Sequence, residues 1–89
     1  MQTIKHVKQP VAVVVTVSRD GQVRPKKFQW KDGHTYTIDR VTKVERAAST
    51  KVGGCGIRYT VMVEGLPRFL YDEEGKWFME DEVLIEVTE

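Results

Sequence analysis

The segment Val11-Ala12-Val13-Val14-Val15-Thr16-Val17-Ser18-Arg19-Asp20-Gly21 carries the strongest structural signal in the 89-residue chain. Its β-branched side chains favour an extended backbone. Alternate residues of a strand point to opposite faces, so the four odd-numbered valines share one face. Asp20-Gly21 is then typical of a tight hairpin turn. The segment predicts a strand followed by a reversal of the chain.

The same alternation continues on both sides of a second Asp-Gly pair, Asp32-Gly33. The alternation slips near Arg40, which indicates a bulge or a bend. Pro25 cannot donate to a strand ladder, so its strand is expected to begin after it or to lie at an edge. Predicted strands cover residues 11–17, 22–31, 34–46, 57–63, 68–71, 76–80 and 83–87.

No helical period of ten or more residues occurs, and a short turn at residues 45–49 is the only helical alternative. Short strands with turn signals about every ten residues favour a barrel or a sandwich. A closed sheet removes exposed edges, which a chain this small has little material to cover. We therefore predict an all-β fold: a small antiparallel, partly closed barrel, SH3-like or OB-like, of about six strands.

The length fits one domain, residues 1–89, with residues 1–9 as a candidate flexible N-terminal segment. No apolar run approaches the ~20 residues that cross a bilayer. The single cysteine, Cys55, has no partner for an internal disulfide, which favours a cytoplasmic protein. Both faces of residues 11–17 are largely apolar. This strand is therefore expected to be central in the fold or covered by a partner.

The net charge of +1 conceals a division along the chain. Residues 1–51 hold eleven basic and four acidic side chains, a net of +7, while residues 52–89 hold three basic and nine acidic ones, a net of −6. The division either marks a basic binding face or disappears when opposite charges pair across strands. The acidic runs at residues 72–74 and 80–82 are expected to be solvated turns that discourage edge aggregation.

Basic residues surround Phe28 and Trp30, an arrangement that suits nucleic acid. These two rings share a face opposite the neighbouring lysines and are expected to belong to the core. Phosphate binding by the basic side chains does not depend on the rings. The candidate nucleic-acid-binding residues are Arg24, Lys26, Lys27, Lys31, Arg40, Lys43, Arg46 and Lys51.

Residues 47–56 are small and glycine-rich, and they predict a loop. The flexible part is assigned to Gly53, Gly54, Cys55 and Gly56. The order of residues is not that of a phosphate-binding P-loop. Cys55 has no base at a recognisable spacing, and one cysteine with two histidines defines no zinc site. We predict no catalytic residue, no metal and no cofactor.

Three groups of residues resemble a known type of small bacterial protein: Pro25-x-x-Phe28-x-Trp30, Gly53-Gly54-x-Gly56-Ile57-Arg58-Tyr59 and Lys76-Trp77-Phe78. The chain resembles, over roughly residues 23–80, a family of short all-β proteins from Firmicutes-like bacteria whose activity is not established. The resemblance implies a bacterial β domain without an assigned catalytic residue.

The sequence favours a binding module over an enzyme. The first hypothesis is a module that contacts nucleic-acid phosphates through a basic strand face. The alternative is a protein-interaction or assembly module that uses a strand edge and the glycine-rich loop. A single contiguous basic face would favour nucleic acid, whereas intermixed charges would favour protein. Either a monomer or a homodimer, with no membrane partner, is compatible with both.

Overall fold

The computed structural model describes residues 2–48 and 55–86. These residues form eight strands and no helix. The strands are β1 (Gln2–Pro10), β2 (Ala12–Val17), β3 (Val23–Gln29), β4 (Thr35–Thr37), β5 (Arg40–Ala48), β6 (Cys55–Val63), β7 (Leu66–Glu73) and β8 (Lys76–Glu86).

The strands form two antiparallel sheets. One has five strands in the order β1-β8-β7-β6-β5, and the other has three in the order β2-β3-β4. The predicted all-β, antiparallel fold is confirmed, with eight strands where about six were expected. The two sheets enclose a common core, and neither closes on itself in the strand order. The barrel is therefore partly closed.

Tight turns connect most neighbouring strands, as the sequence predicted. Gly21 and Gly33 have φ angles of +85° and +88°. At the β6–β7 turn both Glu64 and Gly65 have positive φ, at 51° and 78°. Two consecutive left-handed residues make a type I′ turn, whose twist matches that of the flanking strands.

The chain passes between the sheets at two places. Val11 alone links β1 to β2, and its N–H donates to the carbonyl of Trp77 at 3.1 Å. Residues 38–39 link β4 to β5: Ile38 N–H donates to Lys26 and Asp39 N–H to Met62, at 2.9 and 2.8 Å. Each crossing is thus fixed by hydrogen bonds to the main chain.

The second crossing corrects the prediction of one strand over residues 34–46. The slip in alternation near Arg40 marks the change of sheet, and a separate irregularity in the β5–β6 ladder lies between Val41 and Lys43. The helical alternative at residues 45–49 is also wrong for its described part, because β5 continues to Ala48. β8 runs unbroken for eleven residues where two strands were predicted.

The three-stranded sheet corrects the prediction for Pro25 and one of the two alternatives for residues 11–17. Pro25 lies inside β3, the central strand, where the ladder to β2 is irregular and β4 does not reach it. Proline is tolerated there because no ladder donor is required of it. β2 is an edge strand with Val14 and Val17 exposed, so residues 11–17 are not central, and cover by a partner stays a prediction.

The core lies between the sheets. Phe28 lies on β3 of the smaller sheet, and Ile38 lies in the link from β4 to β5. The larger sheet contributes residues of β6, β7 and β8. Phe28 is buried as predicted, whereas Trp30 is only partly buried against this cluster. The buried cluster consists of Phe28, Ile38, Tyr59, Val61, Val63, Leu70 and Met79.

Candidate functional site

A two-stranded arm projects from one end of the larger sheet. β1 pairs with β8 without a register shift from Gln2↔Glu86 to Pro10↔Phe78. β7 pairs with β8 only at its start, over residues 76–78. The arm, residues 2–7 with residues 81–86, therefore has no third strand among the described residues. A six-residue ribbon spans about 20 Å at the usual rise of a strand.

The dimensions of the molecule agree with a projecting arm. Its principal axes measure 56, 25 and 20 Å. Its radius of gyration is 14.4 Å, whereas a compact domain of this length has one of about 12 Å. The structure thus places residues 1–9, a candidate flexible segment in the sequence, largely within strand β1. It also places the acidic run 80–82 in a strand and not in a turn.

Both faces of the arm carry apolar side chains. Ile4 lies opposite Leu84 in the ladder, and they are 57% and 62% exposed. Beside this pair His6 faces Glu82, with Nδ1 3.7 Å from Oε1. On the other face Ile85, 39% exposed, lies opposite Thr3. The arm therefore presents apolar surface that the described residues leave uncovered.

The base of the arm is anchored by aromatic and polar contacts. Phe78 stacks on Tyr71 with ring centroids 4.9 Å apart, and Lys8 Nζ lies 4.6 Å from the Phe78 ring. Lys8 also bridges to Glu73, 3.2 Å away. The Tyr71 hydroxyl donates to Glu80 Oε1 at 2.8 Å, while Glu80 Oε2 is buried without a partner among the described groups. These contacts fix where the arm leaves the sheet.

Burial sets the proton affinity of this tyrosine. Burial raises the pKa of Tyr71, the hydrogen bond to Glu80 raises it further, and Arg58 opposes both. The phenol therefore stays protonated and remains a donor to Glu80 at neutral pH. The anchor consequently keeps its hydrogen-bond direction across the physiological range.

A cleft of about 350 Å³ opens between the two sheets beside this anchor. Lys31 and Asp81 form an ion pair that joins the smaller sheet to β8 at the cleft. Lys31 holds the pKa of Asp81 below its usual range, chiefly through their hydrogen bond. Lys31 Nζ also lies 5.8 Å from the Trp30 ring. The cleft is lined by Phe28, Trp30, Tyr36, Val63, Glu64, Leu66, Arg68, Met79, Glu80 and Asp81.

The predicted basic residues fall into separate groups. Arg24, Lys26 and Lys27 are exposed on β3. Arg24 and Lys27 lie opposite Thr16 and Val14 of β2, and so share the outer face of the smaller sheet. None of the three is in an ion pair with a described carboxylate. Lys31, by contrast, forms an ion pair with Asp81.

The other group lies on β5, the edge of the larger sheet. Lys43 bridges to Glu45 at 3.2 Å, and Glu45 also pairs with Arg58. Arg58 first, and Lys43 second, hold the pKa of Glu45 below its usual range. Arg46 follows Glu45 and therefore lies on the opposite face of β5 from Lys43. Arg40, also exposed, begins the strand.

The glycine-rich segment is only partly described. Lys51, Gly53 and Gly54 lie outside the described residues. Cys55 and Gly56 belong to strand β6 and not to a loop. At Gly56 φ is +153°, and a Cβ there would lie 2.3 Å from the carbonyl oxygen of Asp72. The glycine therefore permits β6 and β7 to approach closely.

The described residues contain no group of three or more side chains suited to hold a metal ion. In the same part of the chain, no helix is long and apolar enough to cross a membrane.

Sequence reasoning missed the arm because its two strands lie at opposite ends of the chain. A signal was present: Lys5, His6 and Lys8 are basic, while residues 80–82 are acidic. Such complementarity indicates pairing when both segments alternate as strands.

Comparison with known proteins finds no matching family, no matching curated protein and no matching solved structure.

Proposed function

We propose that the protein is a small interaction module that binds another protein through the β1–β8 arm. The proposal rests on the exposed Ile4–Leu84 pair, which lies on a ribbon with no third strand among the described residues. A two-stranded ribbon alone is marginally stable in water and gains stability from a third strand or a covered apolar face. A partner that adds a strand supplies both.

The arrangement of the charges supports a protein partner. Opposite charges from the two halves of the chain meet in the pairs Lys8–Glu73 and Lys31–Asp81. Lys43 lies beside Glu45 and its second partner Arg58. Positive and negative side chains are thus intermixed over much of the surface, and this pattern suits protein recognition better than a uniform phosphate-binding face.

A capture experiment tests the proposal. The double variant Ile4→Thr, Leu84→Thr removes the apolar pair and keeps a residue that favours strands at both positions. Immobilised wild-type protein is expected to retain a partner from a lysate of the organism that encodes it. The arm variant is expected to retain at least about tenfold less, since each large apolar side chain contributes about 1.5–3 kcal/mol when fully buried.

Val17→Thr is the matched control. Val17 is 63% exposed on β2, an apolar side chain as exposed as Ile4 but outside the arm. The Val17→Thr variant is expected to retain as much of the partner as the wild type does. Equal retention by the arm variant and the wild type, with both folded by circular dichroism, would refute an arm-based interface.

A second candidate function rests on a different surface. Arg24, Lys26 and Lys27 are exposed on β3 and have no ion-pair partner among the described residues. Free cations on one strand suit nucleic-acid phosphates, with affinity that falls steeply as salt rises. Hydroxyl groups of Thr16 and Thr37 lie opposite Arg24 and Lys27 in the ladders.

An NMR titration with short single- and double-stranded DNA and RNA tests this candidate. Salt-sensitive shifts grouped on β3 are expected at low salt, and they should weaken at physiological salt. Lys27→Gln should weaken binding, whereas Lys43→Gln, at a cation already paired with Glu45, should have little effect. The absence of shifts with every nucleic acid at low salt would exclude it.

A further inference from the structure

Both edges of the arm are open to hydrogen bonding. β1 pairs with β8 on one side and with no described strand on the other. β7 stops pairing with β8 at Phe78, so no described strand lies on the second edge of β8 along the arm. The ladder has no register shift that would twist an edge away, and Pro10 lies only at its end. Such edges are templates for a further strand.

The two open edges carry opposite charges. The described part of β1 has Lys5, His6 and Lys8 and no acidic residue. β8 beyond Phe78 has four acidic residues and no basic one. Glu80 and Asp81 are held by Tyr71 and Lys31 at the base of the arm, and Glu82 and Glu86 lie farther along it. Like charges placed directly opposite each other destabilise a strand pair, and opposite charges stabilise it.

We infer that the partner of the arm is a second copy of this chain, added head to tail with β1 of one copy against β8 of the next. This inference rests on the proposed function of the arm. It is the one edge pairing between copies in which a basic strand meets an acidic strand. β1 against β1 places lysine near lysine, and β8 against β8 places acid near acid.

The intramolecular ladder shows that the two sequences match as strands. In it Ile4 lies opposite Leu84, and His6 lies opposite Glu82. A neighbouring β8 placed antiparallel in this register gives Ile4 a second leucine contact and His6 a second carboxylate. The apolar pair then becomes a continuous row across four strands, and the two inner side chains of the row are covered on both flanks. The contact is heterologous, so it generates a closed ring or an open filament and not a two-fold dimer.

Light scattering after size-exclusion chromatography tests the inference on the whole chain. At low salt the mass is expected to exceed the 10.2 kDa of one chain and to rise with concentration. It should fall toward one chain when the Debye length shrinks from about 30 Å at 10 mM to about 3 Å at 1 M salt. A wild-type chain that stays monomeric at every concentration overturns the inference.

Two charge reversals identify the edges. His6→Glu puts a carboxylate opposite Glu82, and Glu82→Lys puts an ammonium group opposite His6. Each alone should raise the dissociation constant about tenfold, and mixing the two should restore association to near the wild-type level. Arg19→Glu and Glu74→Lys change the net charge at least as much outside the arm, and they should leave association unchanged.

Alternative geometries give different results in the same experiment. If β1 paired with β1, mixing His6→Glu with wild type would strengthen association instead. A discrete dimer with no larger species would indicate an exchange of β1 between two copies. Either result overturns head-to-tail addition. Arm-dependent capture of a foreign protein by a monomeric chain would leave the proposed function standing and refute self-association alone.

Discussion

At the scale of single residues, Gly56 sets the distance between β6 and β7. Gly56→Ala introduces a Cβ that meets the Asp72 backbone at a backbone angle which L-residues rarely adopt. We expect a loss of about 2–4 kcal/mol, because the strained angle and the overpacking each cost about 1–3 kcal/mol. Urea unfolding measures the change.

Gly33→Ala is the control for the backbone angle alone. Gly33 has φ +88°, and a Cβ at this position would meet no atom within 4 Å. The variant should lose only the strain component, about 1 kcal/mol. If both variants lost the same free energy of unfolding, the contact with Asp72 would not contribute to the loss at Gly56.

The Lys31–Asp81 ion pair predicts that the stability of the folded chain depends on pH. The pKa of Asp81 is lowered in the folded chain, so the pair contributes stability above the ordinary aspartate pKa of about 3.9. This contribution is lost as the pH falls through the lower folded value. Asp81→Asn should be less stable than wild type at pH 7 by about 0.2–1 kcal/mol, the usual range for partly exposed pairs.

The difference between Asp81→Asn and the wild type should shrink as the pH falls below the ordinary aspartate pKa of about 3.9 and through the lower folded pKa. Chemical denaturation at neutral pH and at about pH 2.5 measures it. Asp39→Asn alters an exposed carboxylate that is in no ion pair among the described residues, and it serves as the control. A gap that persists in acid would assign the effect to packing and not to charge.

At this scale the sequence predicted some roles well. Phe28 is buried, as its alternation with lysines indicated. Trp30 is only partly buried, because it lies at the end of β3 where the cleft opens. Gly56 was assigned to a loop, since composition around it is small and polar. Its actual role depends on how near β7 comes, which local composition does not encode.

At the scale of strands, the hairpins were predicted and the arm was missed. Asp20-Gly21 and Asp32-Gly33 are local signals, because the residues that pair lie next to the turn. β1 and β8 are separated by most of the chain, so no turn sets their register. The slip near Arg40 predicted a bulge or a bend, and a register shift does lie between Val41 and Lys43. The change of sheet just before it was not predicted, because it disturbs alternation in the same way as a bulge does.

The arm should be the least protected part of the ladder in a dilute, monomeric sample. Few buried side chains shield the hydrogen bonds of the arm from water, whereas Tyr59 and Val61 of β6 belong to the core. Native-state amide exchange is expected to be fastest at residues 2–7 and 81–86 and slowest at residues 57–63. Protection should rise in the arm as the concentration increases. Equal protection of the arm and β6 in the monomer would contradict this view of the arm.

At the scale of the whole molecule, both sheets share one core. Leu70→Ala removes a fully buried side chain of β7 and should destabilise the chain by about 2–5 kcal/mol. Because the core spans both sheets, tryptophan fluorescence and circular dichroism should report the same shifted transition. Leu66→Ala is the matched control: Leu66 is 54% exposed on the same strand, so a change within about 0.5 kcal/mol is expected. Separate transitions would show that the sheets unfold independently.

The charge division along the chain illustrates what composition alone can decide. It left two interpretations open, a basic face or pairing across strands. The pairs Lys8–Glu73 and Lys31–Asp81 show that cross-strand pairing absorbs part of it. The exposed cations of β3 remain outside these pairs. Only the strand order could distinguish the two contributions, and strand order depends on contacts distant in sequence.

The adjacency of Gln2 and Glu86 in the ladder has a mechanical consequence. A tensile force applied to these two residues pulls the strands apart like a zipper, so the hydrogen bonds rupture one after another and not all together. Tension on the described ends would peel the arm back toward Pro10 and Phe78 at low force. The stacked rings and the two-sheet core behind them would take the load only after the arm had opened.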